Sequence, residues 1–157
     1  MLKRLEKGDE IKIVAPASFV EDKEQFKLGI KILENWGLRI NRNTNIDKKY
    51  GYFSADDSQR LIELENGQNS KLIIFAKGGW GSARLLEKDP KWKTSWMLGF
   101  SDTCSLLLSK YARGHLGSIH GPMITTLSKE PSWSLQRLKN FLFEGYVEDI
   151  IGEPLIG

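Results

Sequence analysis

Apolar positions in this chain fall into short continuous runs, separated by longer stretches with a helical repeat. Ile11-Lys12-Ile13-Val14-Ala15 is a β-rich run that stops at Pro16, and Ala15-Pro16-Ala17-Ser18 follows as a loop. Residues 21 to 36 place Phe26, Ile30 and Leu33 near one helical face, with Gly37 set to end the helix. Leu38-Arg39-Ile40 is a short second strand, and Asn41 to Phe53 is a polar loop. Ser54-Ala55-Asp56-Asp57 offers an N-cap and first-turn acids, which predicts a helix to about Asn66, stopped by Gly67. Lys71-Leu72-Ile73-Ile74-Phe75-Ala76 is almost wholly apolar, as a central parallel strand buried on both faces must be.

Gly78-Gly79-Trp80-Gly81 comes straight after that strand, and Ser82 to Lys88 reads as a helix. Trp96-Met97-Leu98 is the next strand and leads through Gly99-Phe100 to Ser101. Residues 103 to 112 read as a helix, Ser118-Ile119-His120 as one more strand, and Ser134 to Phe143 as a last helix. The tail from Ile150 to Gly157, with Gly152 and Pro154, reads as a linker, so the domain is expected to span 1–149. Strands alternating with helices predict an α/β fold: a parallel, flavodoxin-like or Rossmann-like sheet with helices on both faces. Ligands bind such sheets beyond the C-terminal strand ends. The loops at Gly78–Gly81 and at Ser101 are therefore expected to open on one shared edge.

Composition narrows the picture slightly. The 157 residues match one domain, and 40% hydrophobic with 27% charged residues is an ordinary globular balance. The net charge of +3 is spread among mixed signs, which excludes a nucleic-acid stripe or a polybasic membrane patch. A single cysteine, Cys104, fits a reducing compartment, and no run resembles a signal-peptide core or a membrane span. The expected location is cytoplasmic.

The chemistry concentrates at the two loops. Gly99-Phe100-Ser101 matches the first half of G-x-S-x-G, the sharp strand-to-helix turn that lifts a serine hydroxyl above a sheet; Thr103 stands where the last glycine would be. The competing reading is a serine that caps a helix. Gly78–Gly81 allows close backbone approach and leaves N–H groups free at a helix start, to hold an anion or oxyanion, or it is a plain tight turn. His115 and His120 are the only histidines; His120, beside Gly121-Pro122, is either a site group or a structural hydrogen-bonding residue. Asp102 is better placed to compensate a helix N-terminus than to orient a base. Lys77 and Arg84 flank the glycine loop and could hold a substrate carboxylate or serve as surface charges. No Cys/His cluster has zinc spacing, so neither metal nor cofactor is expected.

Four segments in register resemble a known family: Val14–Ser18, Ala76–Leu86, Leu98–Asp102 and His120-Gly121-Pro122-Met123, with Ser54–Asp57 and Arg60 resembling a fifth. Together they resemble the LD-carboxypeptidases, serine peptidases that include muramoyltetrapeptide carboxypeptidases and the microcin C immunity peptidase. The resemblance implies a hydrolase that removes a D-amino acid from an L-residue in cell-wall muropeptides during peptidoglycan recycling. It implies Ser101 as catalytic nucleophile and the amides of Gly79 and Asp102 as oxyanion hole. Substrate contacts would come from Gly78, Trp80, Lys77, Arg84 and His120. Lys77 and Trp80 stand where the family usually has arginine and tyrosine, and a lysine lacks the bidentate fork.

The family's triad runs Ser…Glu…His, with the last two in a C-terminal domain. Here no histidine follows a glutamate after Ser101. The expectation is an N-terminal half, inactive alone, whose partner is a missing C-terminal domain or another chain, with a homodimer as a further option. The alternatives are a non-catalytic carboxylate- or phosphate-binding module and a truncated remnant. An exposed apolar patch is expected beside Ser101, at Trp80, Phe100, Phe19 and Met123.

Overall fold

A computed structural model describes residues 2–41 and 45–152. Five strands form one sheet: β1 (Glu10–Val14), β2 (Arg39–Asn41), β3 (Leu72–Phe75), β4 (Trp96–Gly99) and β5 (Ser118–His120). Their spatial order is β2-β1-β3-β4-β5, and every pairing is parallel. This is the flavodoxin-like order, which decides between the two sheets expected. Register runs Ile13 to Ile74 and Ile74 to Leu98, so the ends of β1, β3 and β4 lie side by side.

The helices are α1 (Lys23–Asn35), α2 (Asp57–Gly67), α3 (Cys104–Ala112), α4 (Ile124–Leu127) and α5 (Ser132–Glu144). Asp22 and Asp56 cap α1 and α2, each accepting from a first-turn amide. Alternate strand residues feed two cores. Ile11, Ile13, Leu72, Ile74 and Leu98 pack with Leu33, Ile124 and Leu142, from the layer of α1, α4 and α5. Val14, Ile73, Phe75 and Met97 pack with Leu64, Leu85 and Leu106 on the other face. β3 is buried at every position, as its unbroken apolar run requires.

Several boundaries differ from the expectation. Gly67 is the last residue of α2 rather than the one beyond it. Residues Ala83–Lys88 form a 3-10 helix instead of an α-helix, and a second 3-10 turn, Ser101–Thr103, precedes α3. The four-residue α4 has no counterpart in the hydrophobic pattern because it is barely one turn long and shows no repeat of that pattern. After α5 the described chain carries no regular element, and Ile150 and Ile151 are exposed. The rest of the expected linker, 153–157 with Pro154, lies outside the described residues.

One buried cation stands apart. Lys110 on α3 is fully buried and its ammonium donates to the Ser95 carbonyl. Burial pushes its pKa down to about 8.

Candidate active site

The site is built from the chain reversals after β3 and β4. At the end of β4 the chain stays extended through Phe100 and then turns at Ser101, which takes φ +60°. That left-handed value is uncommon for a residue with a β-carbon. Neighbouring side chains hold the turn. Thr103 Oγ1 donates to the Phe100 carbonyl at 2.8 Å. The Asp102 carboxylate accepts from the Ser82 N–H at 2.9 Å, and Ser82 Oγ donates to the Asp102 carbonyl at 2.7 Å. Asp102 thus ties the two corners together rather than serving its own helix.

After β3, Gly79 and Gly81 take φ +110° and +107°, where L side chains are strained. A β-carbon on Gly78 would sit 3.4 Å from Ser101 Oγ, so the glycine loop and the serine meet on one sheet edge. The Gly78 carbonyl accepts from the Ser18 hydroxyl at 2.6 Å and from the Ser18 N–H at 3.4 Å. Below the loop lies Arg60, fully buried on α2. Its guanidinium donates to the Pro16 and Gly81 carbonyls and to Asp57, and it lies over the Phe53 ring. Arg84 donates to the other Asp57 oxygen at 2.7 Å. The Arg84 hydrogen bond, helped by Arg60 against the opposing effect of burial, holds the Asp57 carboxyl below its ordinary value.

A cavity of about 360 Å³ opens above these corners. Of the residues expected at the site, Lys77, Gly78, Gly79 and Ser101 line it. The other substrate candidates do not. Trp80 projects outward, 58% exposed, stacked on Phe53 at 5.5 Å and edge-on to Tyr52. Arg84 is engaged with Asp57. His120 packs edge-on to Phe100 and lines a neighbouring cavity of about 440 Å³ with Glu130 and Arg137. His115 follows α3, at the opposite end of the sheet from Ser101. Lys77 pairs with Glu21 at 3.3 Å. The Ser101 hydroxyl has no hydrogen-bonded base among the described residues.

The expected exposed patch of four apolar residues is corrected. Met123 is buried, packed into the core of the α2 and α3 face against the corner itself. Phe19 and Phe100 are half-buried, which leaves Trp80 as the exposed apolar residue of the four. Among the residues that escaped the sequence analysis as site residues are Ser18, Tyr52 and Lys129. Lys129 lines the cavity from just beyond α4, and Tyr52 lies against Gly79. Ser18 sits in the loop after β1, where the strand-end rule points. Nothing local marks the other two.

Comparison with known proteins agrees with this fold. Residues 11–121 match the family model for the LD-carboxypeptidase N-terminal domain. A Synechocystis sp. protein named "Putative carboxypeptidase slr1534" is 34% identical over 98% of this chain and 51% of its own length. The murein tetrapeptide carboxypeptidase of Pseudomonas aeruginosa is 28% identical over 77% of this chain and 41% of its own. The crystal structure of an MccF-like protein from Bacillus anthracis superposes with a TM-score of 0.75 at 22% identity, over 90% of this chain and 46% of that one. The chain spans about half the length of these relatives. With the matched segment taking in all five strands but for the first residue of β1, and both corners of the site, the chain belongs to the family of LD-carboxypeptidase N-terminal domains.

Proposed function

We propose that this chain carries the nucleophile of a serine carboxypeptidase that hydrolyses the L,D-peptide bond to a terminal D-amino acid in cytoplasmic muropeptides. The observation that carries the proposal is Ser101 at φ +60°, facing Gly78 so closely that a β-carbon there would lie 3.4 Å from its hydroxyl oxygen. In the proposed reaction Ser101 Oγ attacks the scissile carbonyl carbon. The amides of Gly79 and Asp102 receive the negative charge that develops on the carbonyl oxygen. Asp102 lies in the first turn of the Ser101–Thr103 segment, where an N–H has no helical acceptor to reach. Collapse of the tetrahedral intermediate releases the D-amino acid and leaves an acyl ester on Ser101. Water then cleaves the ester.

The substrate carboxylate would meet a cationic cavity wall. Lys77 and Lys129 both line it; Lys77 is partly neutralised by Glu21, whereas Lys129 has no ion pair among the described residues. The proton-transfer partner of Ser101, a histidine, and the glutamate that orients it would come from the half of the relatives' length that this chain does not span. The chain alone is then a poor hydrolase, since a serine without its base loses several orders of magnitude in rate.

The test mixes the purified chain with the complementary C-terminal half of the Synechocystis relative and follows release of D-alanine from an L,D-tetrapeptide. Release that requires both pieces and disappears with Ser101→Ala is expected. Turnover at ordinary enzyme rates by the chain alone would overturn the division of the triad, and release that survives Ser101→Ala would overturn the nucleophile.

A further inference from the structure

We infer that Ser18 is a positioning residue for oxyanion stabilisation: it clamps the carbonyl of the Gly78–Gly79 peptide and thereby aims the Gly79 N–H at the Ser101 cavity. The inference rests on the reading of Ser101 as nucleophile. Ser18 is buried, and both its hydroxyl and its amide donate to the same oxygen, the Gly78 carbonyl. A trans peptide is a rigid plane with C=O and N–H on opposite sides. The chain has no cis peptide bonds among its described residues. Drawing the carbonyl toward Ser18 therefore turns the Gly79 N–H away from it. That N–H donates to no group among the described residues, and Gly79 lines the cavity that holds Ser101.

A clamp is needed because this peptide sits between two glycines. Gly78 and Gly79 have no β-carbon to resist rotation of the plane between them. Rotated by half a turn, the same plane would present a carbonyl oxygen to the developing oxyanion, and attraction would become repulsion. Ser18 can hold the plane because its own loop is anchored elsewhere. Ser54 Oγ donates to the Ala15 carbonyl at 2.6 Å, Arg60 donates to the Pro16 carbonyl, and the Phe19 N–H reaches the Tyr52 carbonyl at 3.2 Å. The Ser18 hydroxyl proton is committed to Gly78, so the residue has no direct part in bond making.

A peptidyl boronic acid whose boron replaces the carbonyl carbon of an L-residue tests this on the full chain. Boron accepts the Ser101 Oγ lone pair, the hydroxyl proton leaves to solvent, and the resulting tetrahedral boronate places an oxygen where the oxyanion would be. The matching peptide carboxylate, which forms no such adduct, reports ground-state binding. Ser18→Ala is expected to weaken the boronate roughly 10- to 100-fold, less than outright loss of an oxyanion donor because the donor is mis-aimed and not removed, while carboxylate affinity stays within about twofold. The Gly79 amide should also exchange its hydrogen at a changed rate. Ser118→Ala removes a like side-chain bond, to the Leu107 carbonyl, away from both corners, and should leave the boronate-to-carboxylate ratio alone.

Equal weakening of both ligands, or a boronate unweakened by Ser18→Ala, overturns the positioning role alone. A wild-type chain whose boron signal shows no Ser101 adduct overturns the nucleophile reading and this inference with it. Should Ser18→Ala fail to fold, Ser18→Cys, which keeps the volume and weakens the donor, carries the same comparison.

Discussion

The turns after β3 and β4 leave the same sheet edge and reverse the chain within a few residues, yet they reach their shapes by opposite means. The β3 corner uses glycine: Gly79 and Gly81 adopt positive φ, and the supporting groups come from elsewhere, Ser18 and Arg60 among them. The β4 corner places a serine at φ +60° and restrains it through its own neighbours, Thr103 by a bond within the turn and Asp102 by a bond across to Ser82. The difference follows from what each corner must present. A backbone N–H needs no side chain, so glycine serves and the strain is avoided. A nucleophile needs its Cβ–Oγ bond, so the β4 corner retains a β-carbon and the cost of a left-handed residue.

The largest expected effect falls on the β3 corner. A β-carbon on Gly81 would lie 2.4 Å from the Phe53 ring at a φ of +107°. Gly81→Ala should destabilise the chain by about 2–4 kcal/mol, read as a lower urea midpoint. An unchanged midpoint would show that the corner does not depend on glycine.

The second prediction has the opposite sign. Ser101→Gly removes the β-carbon that makes φ +60° costly, at the price of some unfolded-chain entropy. A net gain of up to about 1 kcal/mol is expected, together with loss of all adduct formation at residue 101. A loss of stability instead would mean that the Ser101 side chain braces the turn as well as presenting the nucleophile.

A smaller effect separates the corners by pH. The Asp57 carboxyl is held below its ordinary value, chiefly by Arg84 and then Arg60, so its folded pKa is depressed. Stability from a depressed carboxylate is fully present above the unfolded value near 4 and is lost as pH falls through the folded one. Arg60 carries the Gly81 carbonyl. Hydrogen exchange in the Gly79–Ser82 segment should therefore accelerate, relative to Cys104–Leu106 and after correction for intrinsic rates, as pH drops below about 4. Arg84→Gln should shrink that acceleration, because the folded Asp57 pKa then lies closer to the unfolded one. Equal acceleration in both segments would mean that Asp57 supports the whole fold and not one corner.

Much of the scaffold was legible in the amino-acid order. The apolar run at Leu72–Phe75 is a buried central strand, and Gly99-Phe100-Ser101 marks the strand-to-helix turn. Both signals are local: a run of apolar residues, or a glycine beside a serine, restricts the backbone wherever it occurs. The supports were less legible. Arg60 is an ordinary polar residue of a helix by pattern, and only the fold places it under the glycine loop, beside carbonyls from two other segments. Asp102 suits a helix N-terminus by spacing, yet its carboxylate goes to Ser82, twenty positions back.

His120 shows the same divide. Its place at the end of β5 is apparent from the sequence, but the Phe100 ring against which it packs assigns it to the neighbouring cavity. Secondary structure, strand burial and the identity of the two corners follow from residues a few positions apart, because backbone preference and hydrophobic repeat are short-range. The carbonyl that Ser18 holds, the bridge made by Arg60 and the side of Phe100 on which each group falls depend on which segments β1, β3, β4 and β5 bring together. Sequence order alone does not contain those distances, since they arise when the sheet closes and each buried polar group must find the partner that is then nearest.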